Sequence, residues 1–177
     1  LPALVLMVLI GCGPGPAGEV GTEIMSAADA WELVEGGAVL VDARSGDDYQ
    51  GSHIEGAVNI SRADIVINDP FPNLLAPADQ IESVMGSRGI GNDTTVVVYD
   101  ANKGMDSARL WWTLKIYGHD DVKVVDGGFA ALQAEGLEPV TSAPSVSAAT
   151  FTAAARDDTM IIDTRALRDL VNNPEPN

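Results

Sequence analysis

The residues whose types and spacing bear most directly on chemistry run from Asp100 to Ser107: Asp100, Ala101, Asn102, Lys103, Gly104, Met105, Asp106 and Ser107. An acid stands where an apolar run ends, turn-forming residues follow, and a segment of helical character comes next. Such a loop aims backbone N–H groups and a helix N-terminus at one point, which is a place for negative charge. Three readings of Asp100 follow. It is a solvated or loop-bonded carboxylate at a strand end. It is an internal anion that fills the loop from within, accepting N–H bonds. Or it is a phosphoryl acceptor, which needs a magnesium cluster that the sequence does not supply. Lys103 and Arg109 would attract an anion, and Asp100 and Asp106 offset them. A sulfur nucleophile is missing at this point, since Cys12 is the only thiol.

The elements around this loop set its position. Thr94 to Tyr99 is a β-branched and aromatic run, which reads as a buried strand of a parallel sheet. Ser107 opens a helix, Ala108 to Tyr117, that Gly118 ends. Val122 to Val125 is a second buried strand, closed by Asp126-Gly127-Gly128. Strand, loop, helix and strand make a βαβ unit, and in such sheets ligands sit beyond the carboxyl ends of the strands.

Upstream, Ser26 is an N-cap with Asp29 three residues on, so Ala27 to Glu35 is a helix stopped by Gly36-Gly37. Ala38 to Val41 is a buried strand ending in Asp42-Ala43-Arg44. A carboxylate and a guanidinium two residues apart at a strand end make an ion pair or hold a turn, so neither takes a catalytic role. Ser61 to Pro77 reads as irregular, with a helical turn at Ile65 to Ile67, and Ala78 to Met85 has helical spacing. Phe129 to Glu135 is a helix stopped by Gly136, after which Leu137 to Val140 leaves the domain.

These residues carry a resemblance. Asp42-Ala43-Arg44 with His53-Ile54-Glu55-Gly56-Ala57-Val58-Asn59, and Val98-Tyr99-Asp100 with Gly104, Ser107-Ala108-Arg109, Trp111-Trp112, Gly118-His119 and Val125-Asp126-Gly127-Gly128, look like a rhodanese (thiosulfate sulfurtransferase) domain. More narrowly, they resemble the inactive first domain of tandem rhodaneses. The resemblance implies an α/β, three-layer fold: a central, mostly parallel sheet with helices on both faces. It makes Asp42, Arg44 and His53 structural. It also implies that the position of Asp100 belongs, in catalytic domains, to a cysteine that carries a persulfide. Here no residue of the chain is expected to be catalytic, and the rhodanese-like phosphatases need the same cysteine.

Composition narrows the partners. The 177 residues carry a formal net charge of −16, so nothing supplies the basic footprint of a nucleic-acid binder. Two histidines, His53 and His119, lack ligand spacing, so neither metal nor cofactor is expected, and one cysteine forms no internal disulfide. Leu1 to Ile10 is almost wholly apolar and too short to span a bilayer. Leu9-Ile10-Gly11-Cys12 resembles the lipobox of bacterial lipoproteins, in which Cys12 is acylated.

The expected organisation is therefore a truncated lipoprotein signal over 1–12, a Gly/Pro-rich tether over 13–22, a rhodanese domain over 23–140, a linker over 141–149 and the truncated start of a second copy over 150–177. The second copy rests on Met160-Ile161-Ile162-Asp163-Thr164-Arg165, which repeats Val39-Leu40-Val41-Asp42-Ala43-Arg44 about one domain later. The parent protein would be a sulfurtransferase anchored in the bacterial cell envelope and exported. It would act on a small sulfur-containing anion, with the cysteine in a second domain in cis. A different class, a non-catalytic binding or scaffold module on a lipoprotein, fits the same residues. Labelling with a lipid precursor in a bacterial host should tag the precursor through Cys12 and place it in the membrane fraction. Cys12→Ser should lose both, and equal solubility of the two proteins would rule out the lipobox.

Overall fold

The computed structural model describes residues 23–173; Cys12, the lipobox and the tether lie outside them. Among the described residues, nine strands and six helices follow in order: β1 Ile24–Met25, α1 Ala27–Glu35, β2 Val39–Asp42, α2 Gly46–Gly51, β3 His53–Ile54, β4 Val58–Asn59, β5 Val66–Ile67, β6 Leu74–Leu75, α3 Ala78–Ser87, β7 Val96–Tyr99, α4 Met105–Ile116, β8 Val122–Val125, α5 Gly128–Ala134, β9 Pro139–Val140 and α6 Thr164–Asn172. Short 3₁₀ turns lie at Arg62–Asp64 and Asp158–Met160.

The main sheet has the order β1-β8-β7-β2-β4, and every neighbouring pair is parallel. Its central strand, β7, is fully buried at all four positions. Strand geometry sends alternate side chains to opposite faces. Val96 and Val98 therefore join one core with Val41, Ile81 and Met85 of α3, and Leu110 and Leu114 of α4. Val97 and Tyr99 join the other with Leu40, Ala27 and Ala30 of α1, and Leu132 of α5. Both faces are covered, which is why these strands read as continuous apolar runs and not as alternating ones. The three-layer α/β architecture expected from the sequence is present.

Local signals account for the helix starts. The Ser26 hydroxyl accepts the Asp29 N–H at 3.1 Å and donates to the Asp29 carboxylate at 2.7 Å. Ser45 does the same for α2 with Asp48. Four expectations are corrected. Helix α4 begins at Met105, two residues before Ser107, because its first N–H groups are satisfied by a side chain reaching over from the preceding strand. The stretch from Ser61 to Pro77 is more ordered than its prolines imply. Its turn falls at Arg62–Asp64, where Asp64 accepts from Ser61, and β5 pairs antiparallel with β6. Leu137 to Val140 does not leave the domain, since β9 pairs antiparallel with β3. Finally, Met160 to Asp163 forms no strand. No sheet edge meets it among the described residues, and Asp163 instead caps α6 by accepting the Ala166 N–H at 2.8 Å.

Residues 149–157 form a strap along the domain, on the side of α3 and α4. Ala149 donates its N–H to Gly86, Ala154 to Tyr117 and Asp157 to Ile116. The Asn92 side chain pairs with both backbone groups of Thr152, and the Glu82 carboxylate accepts the Ala153 N–H at 2.9 Å. Phe151 is 4% exposed and belongs to the α3–α4 core. Truncating a buried Phe leaves a cavity as well as lost transfer energy. Phe151→Ala should therefore lower the unfolding free energy by about 3 kcal/mol in urea denaturation. An unchanged midpoint would mean that the strap only rides on the surface.

Candidate functional site

The loop at the carboxyl end of β7 is built around one side chain. Asp100 is 2% exposed. Its Oδ1 accepts the N–H groups of Asn102 and Gly104, each at 3.0 Å. Its Oδ2 accepts those of Asp106 at 2.9 Å and Ser107 at 3.0 Å. Two of the four donors come from the loop and two from the first turn of α4, where N–H groups have no partner inside the helix. Burial by itself raises the pKa of this carboxyl. The N–H bonds from Ser107, Gly104, Asn102 and Asp106 more than reverse that and hold it below the usual range. Of the readings open from the sequence, a loop-bonded carboxylate and an internal anion both match this geometry, and a solvated one does not. Lys103, at φ +56°, takes the left-handed conformation that folds the loop back over the carboxylate.

The Gly127-Gly128 turn after β8 closes the other side. Phe129 donates its N–H to the Asp100 carbonyl at 2.8 Å. A Cβ on Gly128 would collide with that carbonyl oxygen, so the close approach of the two loops requires glycine there. Between them runs a groove of about 510 Å³ lined by Ala101, Lys103, Gly104, Asp126, Gly127 and Phe129. Met105 is exposed and Ser107 is buried, its hydroxyl unpaired among the described residues. No group of three or more His, Cys, Asp or Glu side chains poised for a metal occurs among the described residues.

Two of the cations near the loop are engaged by groups other than Asp100, while Lys103 lines the groove. Arg62 binds Asp106 at 2.8 Å and the Met105 carbonyl at 3.1 Å. Arg109 does not face the carboxylate. Its guanidinium donates to the Asn73 carbonyl at 2.9 Å and lies 4.7 Å from the Trp112 ring centroid. Burial, and then the charge of Arg62, lower its pKa. The sequence grouped Lys103 and Arg109 as one source of positive field, and the fold sends them to different neighbours. Trp111 and Trp112 pack against the core, their indole N–H groups turned to Glu23 and to the Met160 carbonyl.

Asp42 and Arg44 sit at the end of the neighbouring strand β2, and His53 on β3, in the small sheet with β9. Asp42 is fully buried, and Arg44 grips both its oxygens, the shortest contact being 2.6 Å. The Tyr99 hydroxyl donates to Asp42 at 2.7 Å and accepts the Ile54 N–H at 3.1 Å. Burial and the Asp42 charge push the Tyr99 phenol far up, so it stays a donor. Arg44 also lies 4.0 Å from the Phe129 ring centroid, which ties this network to the groove. His53 is buried, stacks on Tyr49 at 3.9 Å, and directs its ring nitrogens at the carbonyls of Tyr49 and Ser142. The sequence assigns no role to the Tyr99 hydroxyl, Phe129 or Arg62. Tyr99 has a signal, being the one aromatic residue, with a phenol, at the buried end of the run over 94–99.

The rhodanese-like domain family model matches residues 26–135. A putative thiosulfate sulfurtransferase from Mycobacterium leprae is 34% identical over 154 residues, 85% of this chain and 53% of that protein. The chain spans about half the length or less of the curated relatives it matches. Among solved structures, a 3-mercaptopyruvate sulfotransferase from Escherichia coli superposes with a TM-score of 0.77 at 22% identity, over 86% of this chain and 62% of that one. A 3-mercaptopyruvate sulfurtransferase from Leishmania major gives 0.64 at 27% identity, over 77% and 41%.

Asp100→Ala should lower stability by about 1–3 kcal/mol, and sulfate should stabilise the variant more than the parent. Because the folded pKa of Asp100 is depressed, its contribution is present above the unfolded carboxylate value of about 3.9. It is lost as pH falls through the folded value. The difference in unfolding free energy between parent and variant should therefore be flat near neutrality and vanish in acid. Denaturant unfolding from pH 7 down to pH 2 tests this. A variant as stable as the parent, with no response to sulfate, would mean that the four N–H groups do not need an anion at this point.

Proposed function

The chain belongs to the rhodanese-like domain family, within the rhodanese sulfurtransferases, and we propose on that premise that it is the non-catalytic first domain of a tandem sulfurtransferase. The observation that carries this reading is Asp100. Four N–H groups converge on it at the end of the central strand. A loop of that shape is suited to hold a thiolate and then its persulfide. Asp100 occupies the place with a fixed negative charge and no sulfur.

Sulfur transfer from thiosulfate proceeds by attack of a thiolate on the outer sulfur. The sulfur–sulfur bond of the donor breaks, sulfite leaves, and the new persulfide passes its sulfur to a thiophilic acceptor. Asp100 can take neither part. The proposed parent protein would carry the reacting cysteine on a second rhodanese domain in cis. The present domain would support that site and wall it in part. The relatives' greater length and the Met160–Arg165 repeat support this organisation. Anchoring through Cys12 and export to the cell envelope belong to the same proposal and rest on the lipobox-like run alone.

The purified chain should convert thiosulfate and cyanide to thiocyanate no faster than a heat-killed control. Asp100→Cys should place a thiol of lowered pKa in the loop, read by the pH dependence of its alkylation, and should make it a weak sulfur acceptor. Turnover by the unmodified chain would overturn the assignment of Asp100 as an inert replacement.

A further inference from the structure

His119 is 1% exposed, and among the described residues neither ring nitrogen makes a well-formed hydrogen bond, although the backbone carbonyls of Thr94 and Asp121 lie near the ring. Buried imidazoles are ordinarily satisfied, as His53 is in this same domain. His119 follows the end of α4 and donates only its backbone N–H, to Leu114 at 2.9 Å. Its ring is covered by the strap. Phe151 lies 5.8 Å away, centroid to centroid. At the neighbouring Gly118, a Cβ would stand 2.7 Å from the Ala154 Cβ, so strap and helix end are in contact.

We propose that His119 and the strap over residues 149–157 form an acid-sensitive latch: the strap docks over the neutral imidazole, and protonation of that ring favours the undocked strap. The physical reason is desolvation. A charged imidazolium buried beside Phe151 has no ion-pairing carboxylate among the described residues, and the nearby backbone carbonyls do not replace its lost water, whereas an undocked strap lets water reach it.

The surrounding charges do not remove this penalty. Burial lowers the His119 pKa, and the opposing influences, first Asp121, then the backbone carbonyls of Thr94 and Asp121, then Asp120, do not overcome it. Asp121 is engaged by the Thr95 hydroxyl at 2.5 Å. Asp120 is mostly exposed and receives Lys115 of α4, whose ammonium also meets Glu23. On the strap, Arg156 pairs with Asp158 in solvent. On α3, Glu82 is occupied by the Ala153 N–H. No carboxylate forms an ion pair with the ring among the described residues.

The sign follows from linkage. The folded pKa lies below the ordinary histidine value of about 6.5, so the docked state binds fewer protons than the undocked one. Docking is at full strength above pH 6.5 and weakens as pH falls, by about tenfold per pH unit until the docked pKa is reached. Undocking uncovers the apolar seat of Phe151 and frees the segment that leads into α6. Exposed Leu167, Leu170 and Val171 lie on that helix. Acid would therefore loosen the connection between this domain and α6.

Hydrogen exchange on the full chain at pH 7.5 and 5.5, corrected for intrinsic rates, tests the latch. The amides of Ala154 and Asp157 should exchange far faster than those of Val96–Tyr99 at both pH values, reporting a local opening. Their protection should fall by about tenfold at the lower pH. His119→Gln and His119→Phe should abolish that pH dependence, and either variant suffices if the other fails to fold. A direct titration of the His119 ring by NMR should give a pKa below 6.5. Strap protection that does not change with pH would overturn the latch. So would a strap that opens only together with the core strand, a variant that keeps the pH dependence, or a ring pKa at or above 6.5.

Discussion

A carboxylate buried at the end of a central parallel strand has to be given hydrogen bonds, and most of this domain's functional end is arranged to give them to Asp100. Strand β7 carries the residue into the protein interior. The loop after it must then turn its N–H groups inward and let α4 start early enough to add two more. The turn at Gly127-Gly128 comes close because only a residue without a side chain lets it reach the Asp100 carbonyl. Removing the charge would leave four donors without an acceptor in a region from which water is largely excluded, a cost comparable to losing several ordinary surface contacts.

The same logic operates one strand over. Asp42 is buried without exposure, so its charge needs Arg44, and its remaining acceptor capacity needs the Tyr99 hydroxyl. Arg44 in turn covers the Phe129 ring at the groove. Two neighbouring parallel strands thus end in two buried carboxylates with different solutions. One is neutralised by a guanidinium, the other by peptide dipoles. Only the second presents a shape that resembles an anion cradle, and only there does a substitution of sulfur for carboxylate change chemistry and not just stability.

The strap shows how a segment with little helical or strand signal becomes part of a domain. Thr141 to Ala149 is rich in Ser, Ala and Pro, and nothing in that composition foretells docking. One aromatic residue, Phe151, together with a run of backbone hydrogen bonds to Gly86, Tyr117 and Ile116, holds the continuation down. Contacts of this kind form only once α3 and α4 have been brought side by side.

Much of the fold was legible from local patterns. The runs at Val39–Asp42, Val96–Tyr99 and Val122–Val125 announce buried parallel strands because they are mainly branched and apolar, without a regular alternation of polar residues. Ser26 with Asp29 announces a helix start because the hydroxyl and the carboxylate satisfy donors that lie within three residues. Asp42 and Arg44 announce an ion pair for the same reason of nearness. What the linear order could not carry were relations between distant segments. The turn to Gly128, the separation of Lys103 from Arg109, the role of the Tyr99 hydroxyl and the covering of His119 by Phe151 all depend on which elements pack side by side. The clearest case is Asp163-Thr164-Arg165. It repeats the Asp42-Ala43-Arg44 pattern, yet Asp163 is exposed and caps a helix, and no ion pair joins it to Arg165 among the described residues. Side chains of the same type take different partners because one copy has a sheet to bury it and the other, in these residues, has none.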